Sequence, residues 1–140
     1  MSLVLDTSMA LSWYFEDERT PAADAVLDQV VEQGAVVPSL WRLEVANGFQ
    51  SAIRRQRIDV SFRDKALTEL KAMSITVDSD TDANAWTTTL RLSDRFRLTA
   101  YDAAYLELAQ RKSLPLASLD RELRQAGAAL GITLLGAAQA

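Results

Sequence analysis

Short apolar runs alternate along the chain with longer segments in which apolar residues recur every three or four positions. Five runs predict strands, at residues 2–5, 35–37, 75–77, 114–118 and 132–135. The periodic segments predict helices over about 9–15, 21–33, 40–56, 61–73, 80–96, 101–112 and 120–130. Strands that alternate with amphipathic helices are typical of an α/β fold built on a parallel sheet.

The length of the chain favours one domain. Its 140 residues, 49% of them hydrophobic and 24% charged, match an ordinary globular protein. We predict a single domain over residues 1–135 and a short C-terminal tail over 136–140.

Within the helix predicted over 80–96, Trp86, Leu90 and Leu92 are available for burial. No apolar run approaches the roughly 18 residues of a membrane span, and we expect a cytoplasmic protein.

Four acidic residues stand at the ends of apolar stretches: Asp6, Glu44, Asp102 and Asp120. The three aspartates follow strands or open helices, and a parallel sheet brings such positions to one edge, where ligands of α/β folds bind. Carboxylates that converge there repel one another unless a cation neutralises them. The pattern therefore predicts an acidic cation site.

Each of these acids also has an ordinary structural alternative. Asp120 and Asp102 could simply cap the helices that they open, although Thr99 offers another cap beside Asp102. Asp6 alone could form a local turn. Glu44 lies in the middle of a predicted helix, where a solvated side chain is usual, but its apolar neighbours Leu43 and Val45 favour a partly buried position.

The composition narrows the chemistry of such a site. The chain has no histidine and no cysteine, so hydrolysis has to use carboxylates, lysine, hydroxyls or a metal. Oxygen ligands without nitrogen or sulfur select Mg²⁺ or Mn²⁺, which points to metal-assisted hydrolysis of phosphodiesters. The net charge of −4 argues against a protein that coats DNA through a broad basic face.

Around these acids the chain resembles the PIN-domain ribonucleases, and among them the VapC toxins of bacterial and archaeal toxin–antitoxin pairs. Four segments carry the resemblance: residues 4–8, 43–47, 98–109 and 114–120. It implies a PIN-like three-layer α/β/α domain with a central parallel sheet of about five short strands. It also implies that Asp6, Glu44, Asp102 and Asp120 are the catalytic and metal-binding acids.

The resemblance assigns supporting residues as well. Ser8 would support Asp6, Asn47 would be the hydrogen-bonding neighbour of Glu44, and Ser118 stands where the family commonly has threonine, so the hydroxyl is kept. Four arginines could rim the pocket and steer phosphate; they are Arg91, Arg95, Arg97 and Arg121.

What the resemblance implies for function is an Mg²⁺- or Mn²⁺-dependent endoribonuclease that acts as a toxin on RNA of the translation machinery, often transfer RNA. Its partners would be a VapB-type antitoxin and a second copy of the chain, with operator DNA bound only through the antitoxin. Two alternatives stay open: a PIN nuclease outside any toxin pair, and a catalytically silent domain that binds a partner. A haloacid-dehalogenase-like phosphatase is discounted, because it needs a second aspartate where Ser8 stands.

Overall fold

Five short strands form one sheet in this computed structural model, which describes residues 2–137. The strands are β1 (Val4–Leu5), β2 (Ala35–Val37), β3 (Ile75–Val77), β4 (Leu116–Ala117) and β5 (Leu134–Leu135). All four pairings are parallel, and the order across the sheet is β3-β2-β1-β4-β5. Helices flank this sheet, and the predicted PIN-like α/β/α fold is confirmed.

Helices fill the connections between the strands. They are α1 (Thr7–Ser12), α2 (Pro21–Gln33), α3 (Trp41–Arg54), α4 (Val60–Ala72), α5 (Thr81–Asn84), α6 (Thr88–Phe96), α7 (Ala100–Lys112) and α8 (Arg121–Ala129), with a 3₁₀ turn at Glu16–Glu18. None of the described helices combines the length and the apolar character that crossing a bilayer requires.

β1 lies at the centre of the sheet, and its position defines the crevice that matters for function. Leu3, Val4 and Leu5 are fully buried, as expected for a parallel strand covered on both faces. Val4 pairs with Val36 on one side and with Leu116 on the other. The chain therefore adds β2 and β3 on one side of β1, and later β4 and β5 on its other side. In open α/β sheets, ligands bind at the carboxyl ends of the two neighbouring strands where the order switches in this way.

The helix predicted over 80–96 is interrupted. It forms as α5 and α6, with a turn over residues 85–87 where Thr87 leaves the helical region at φ −121° and ψ −98°. The two segments consequently do not share one continuous apolar face. Leu92 is buried as predicted, but the predictions for Trp86 and Leu90 are wrong, since Trp86 is 89% exposed and Leu90 is also exposed.

A buried ionic network fastens α7 to the end of β3. The Arg111 guanidinium donates to the carboxylates of Asp78 and Glu107, with shortest contacts of 2.6 Å to each. Both carboxylates are buried, so each needs this cation for compensation. The network fixes the helix that carries Asp102.

The end of the described chain packs against the domain. Gly136 is buried at a φ of 99°, and a β-carbon there would overlap the side chain of Met9. The tail predicted over 136–140 therefore begins with a packed residue, and residues 138–140 lie outside the described part of the chain.

Candidate active site

Asp6 lies at the carboxyl end of β1, in the crevice beside β4. Its backbone N–H donates to the Ala117 carbonyl at 3.1 Å, which extends the β1–β4 pairing by one step. The side chain is only 4% exposed. Its carboxylate accepts hydrogen bonds from Ser8 Oγ at 2.7 Å and from the Met9 N–H at 2.9 Å, and a third from Ser118 Oγ. The Met9 bond also makes Asp6 the N-cap of α1.

Burial dominates the electrostatics of this carboxylate. Burial raises the pKa of Asp6 to about 6, in spite of the opposing hydrogen bonds from Ser118, Met9 and Ser8. The nearby Asp120 carboxylate adds to the rise. A buried acid whose charge is disfavoured in this way gains most from a neighbouring cation.

The loops after β1 and β4 are joined by serine hydroxyls. Ser118 is fully buried and, besides donating to Asp6, accepts from the Asp120 N–H at 3.0 Å. Ser8 Oγ accepts from the Leu119 N–H at 3.1 Å. The Asp120 carboxylate caps α8 by accepting from the Leu123 N–H at 2.9 Å. The two serines therefore hold the strand ends that carry Asp6 and Asp120 against each other.

Glu44 is half-buried on α3 and is held by two hydroxyls. Its Oε1 accepts from Thr7 Oγ1 at 3.0 Å and from the Tyr105 hydroxyl at 2.5 Å. Burial and the Glu44 carboxylate raise the pKa of Tyr105 far above its ordinary value, so the phenol remains a donor at every physiological pH. This arrangement turns Glu44 toward α1 and α7.

Asp102 is partly buried in the first turn of α7, and Thr99 rather than Asp102 caps that helix. The Thr99 hydroxyl accepts from the Asp102 N–H at 3.1 Å. Burial raises the pKa of Asp102, and the carboxylates of Asp120, Glu44 and Glu122 raise it further. Asp102 therefore lies within electrostatic reach of Asp120, Glu44 and Glu122.

Three residues of this site were not predicted from the sequence. Thr7 and Tyr105 orient Glu44, and Glu122 adds a fifth carboxylate near Asp102. Tyr105 could have been found, because it lies three residues after Asp102 and residues at that spacing are neighbours on a helix. Tyr105 is also buried in the core, and its apolar neighbours in the sequence give no sign of the hydrogen bond that its hydroxyl makes.

The remaining predicted residues lie farther out. Asn47 is exposed one turn beyond Glu44, and within the described chain the two side chains form no hydrogen bond. All four predicted rim arginines are exposed; they are Arg91, Arg95, Arg97 and Arg121. Arg95 packs over the ring of its neighbour Phe96, at 4.8 Å from the ring centre, whereas Arg121 directly follows Asp120.

The donor chemistry of the crevice fits Mg²⁺ or Mn²⁺, because it offers carboxylates and hydroxyls. Among residues 2–137, however, no group of three or more acidic side chains lies close enough to hold a metal ion directly. Two of the carboxylates, those of Asp6 and Asp120, are engaged by helix N-termini. An ion at this site would therefore be held directly by at most two of these carboxylates and otherwise through water, which is how Mg²⁺ is commonly held.

Comparisons with known proteins agree with this architecture. The PIN domain family model matches residues 3–129. Ribonuclease VapC3 of Pyrobaculum aerophilum is 29% identical over 125 residues, which cover 89% of this chain and 94% of that protein.

Two solved structures share the fold. The crystal structure of PAE2754 from Pyrobaculum aerophilum has a TM-score of 0.67 at 22% identity and covers 90% of this chain and 84% of its own. The crystal structure of FitAcB from Neisseria gonorrhoeae has a TM-score of 0.62 at 15% identity, with coverages of 94% and 95%.

Proposed function

The chain belongs to the PIN-domain family, and on that premise we propose that it is a metal-dependent endoribonuclease and the toxin of a type II toxin–antitoxin pair. The observation that carries the proposal is the crevice between β1 and β4, where the Ser118 hydroxyl joins the Asp6 carboxylate to the Asp120 backbone and where the Asp120 carboxylate raises the pKa of both Asp6 and Asp102. The name of the relative Ribonuclease VapC3 supports the assignment to RNA.

In the proposed site Asp6, Asp102, Asp120 and Glu44 would hold Mg²⁺ or Mn²⁺. The bound ion supplies an activated water and stabilises the charge that develops on the phosphate. The protein's own part is orientation: Ser8 and Ser118 fix the Asp6 carboxylate, as the hydroxyls of Thr7 and Tyr105 fix Glu44.

We propose RNA of the translation machinery, in particular transfer RNA, as the substrate. Four exposed arginines would contact its phosphates, since arginine forms paired hydrogen bonds to phosphate oxygens; these are Arg91, Arg95, Arg97 and Arg121. The proposed partners are a VapB-type antitoxin and a second copy of the chain in a homodimer. Operator DNA would be bound through the antitoxin, and the pair would act in the cytoplasm.

The decisive experiment compares induced expression of the wild type, Asp6→Asn and Asp102→Asn, with Asp28→Asn as the control. Asp28 is an exposed carboxylate on α2, so its loss changes the charge by the same amount outside the crevice. We expect growth arrest and discrete new 5′ ends in total RNA for the wild type and Asp28→Asn only. In Mn²⁺, the purified wild type and Asp28→Asn should likewise cut RNA, and purified Asp6→Asn and Asp102→Asn should not.

Two results would redirect the proposal. Wild-type turnover by purified Asp6→Asn or Asp102→Asn in Mn²⁺ would show that these acids are not catalytic. A soluble wild type that cuts no RNA, in cells or in Mn²⁺, would assign the domain to partner binding. Cutting by a protein whose gene has no neighbouring antitoxin frame would indicate a nuclease outside a toxin pair.

A further inference from the structure

Tyr101 presents an aromatic ring to solvent directly beside the acidic crevice. The residue precedes Asp102 in the first turn of α7 and is 65% exposed. Among the described residues its ring packs against no other aromatic ring, and its hydroxyl forms no hydrogen bond. The fold therefore gains little from this side chain.

The helical register fixes the direction in which the ring lies. Tyr101 and Tyr105 are four residues apart, so they occupy the same face of α7. Tyr105 donates to Glu44 at 2.5 Å, which identifies that face as the one turned toward the acids. Tyr101 lies about 6 Å farther along the helix axis, toward the N-terminus, and long helical side chains lean in that direction. Its ring thus stands at the open mouth of the crevice.

The charge of this mouth limits how a nucleic acid can be bound. The crevice carries four carboxylates and a fifth from Glu122, and the chain has a net charge of −4. The phosphates of RNA are repelled by such a field except at the cation and the arginines. Stacking of a base on an aromatic ring adds affinity without needing positive charge.

We propose that Tyr101 is a positioning residue on which a base of single-stranded RNA stacks, next to the phosphate that is cut. The inference rests on the proposed ribonuclease function. A base has to be unpaired to stack on Tyr101, because bases within a duplex have no free face to offer. Stacking of this kind tolerates any base, so Tyr101 contributes affinity and placement rather than sequence specificity.

The test measures cleavage of a single-stranded oligoribonucleotide by purified protein in Mn²⁺. Tyr101→Ala should raise KM about tenfold with little change in kcat, because the stacking contact is the same before and during the reaction. Tyr101→Phe should restore the wild-type KM, and Tyr101→Leu, which is apolar but has no aromatic face, should not. Trp86→Ala removes another exposed ring, at the turn between α5 and α6, and should leave KM unchanged.

A binding measurement separates this inference from the ribonuclease assignment. With Ca²⁺ in place of Mn²⁺, so that a cation stays in the crevice, a single-stranded oligoribonucleotide that carries 2-aminopurine should be quenched by the wild type and by Tyr101→Phe, but not by Tyr101→Ala. A wild type that cuts RNA while Tyr101→Ala keeps the same KM and the same quenching would overturn the role of Tyr101 alone. An equal rise in KM for Trp86→Ala would also overturn it.

A wild type that neither cuts nor binds RNA would overturn both proposals. If in that case Tyr101→Ala weakened the complex with the antitoxin, the exposed ring would belong to a protein interface instead.

Discussion

Asp6 is both a helix cap and a member of the acidic crevice, two roles that sequence analysis treats as alternatives. Its carboxylate caps α1 through the Met9 N–H, and the same carboxylate is buried in the acidic crevice. Asp120 likewise caps α8, whereas α7 is capped by Thr99 and not by Asp102. At the scale of single residues, finding a structural role for an acid therefore does not remove it from the candidate site.

The raised pKa of Asp6 predicts a pH dependence of the metal-free protein. The folded state favours the neutral acid, because its pKa rises from 3.8 to about 6. This contribution to stability is complete below pH 3.8 and is lost as the pH rises through 6. Because of Asp6, we expect the free energy of unfolding in EDTA to decrease by about 1 kcal/mol between pH 5 and pH 8.

Urea denaturation in EDTA at several pH values measures that fall. Asp6→Asn, which cannot ionise, should lack it and should be more stable than the wild type at pH 8. Asp28→Asn should keep the wild-type pH profile. An unchanged profile in Asp6→Asn would show that another group is responsible.

Tyr105→Phe should show whether the orientation of Glu44 affects the rate of the reaction separately from the binding of substrate. The substitution removes the hydroxyl that donates to Glu44 at 2.5 Å and keeps the ring that fills the core. We expect a loss of about 1 kcal/mol of stability and a fall in kcat of about tenfold with KM unchanged, since Glu44 loses its fixed direction. Tyr101→Phe is the matched control and should change neither kcat nor stability, because the hydroxyl it removes is exposed.

At the scale of helices and strands, the sequence predicts best those helix ends that are set by the local residues. α2 runs from Pro21 to Gln33 before Gly34, because proline and glycine mark helix ends by their own backbone preferences. The break between α5 and α6 could not be predicted in this way. No glycine or proline stands at residues 85–87 and Thr87 itself is exposed, so no familiar helix-breaking residue marks the break in the sequence.

The contact between α1 and α3 depends on Gly48. A β-carbon at this position would overlap the side chain of Leu11, so Gly48→Ala should cost about 1 to 3 kcal/mol of stability. The better helix propensity of alanine offsets up to about 1 kcal/mol of this. Activity should also fall, because α1 carries Thr7 and Ser8.

A double-mutant cycle with Leu11→Ala tests the origin of that cost. Leu11→Ala makes room for the new methyl group, so the double variant should be more stable than the sum of the two single changes. Strict additivity, measured by urea denaturation, would mean that the overlap with Leu11 is not the cause.

At the scale of the molecule, the parallel sheet made the proximity of Asp6 and Asp120 predictable, since strand ends of one direction share an edge. The order of the strands and the hydroxyls around Glu44 were not predictable. Tyr105 and Glu44 are 61 residues apart in sequence, and their hydrogen bond depends on how α7 and α3 pack. Contacts of this kind leave no local pattern in a sequence.

Metal binding should be visible as stability of the whole domain. A ligand that binds only the folded state at a concentration 100 times its Kd adds about 2.7 kcal/mol, which corresponds to a rise in Tm of roughly 5 to 10 °C for a domain of this size. We expect Mn²⁺ to raise the Tm of the wild type and of Asp28→Asn, and to have little effect on Asp6→Asn. Equal shifts in all three proteins would place the ion elsewhere.

The bond between Asp6 and Ser118 joins positions 112 residues apart, and this separation has a consequence for synthesis. A ribosome makes Asp6, Glu44 and Asp102 well before it adds β4, so a nascent chain holds most of the acids without the strand that assembles them. The crevice includes Ser118 and Asp120, so it cannot be complete before residues 116–120 have been made. We therefore expect a chain that ends before β4 to cut no RNA, because it lacks the strand end that carries Ser118 and Asp120.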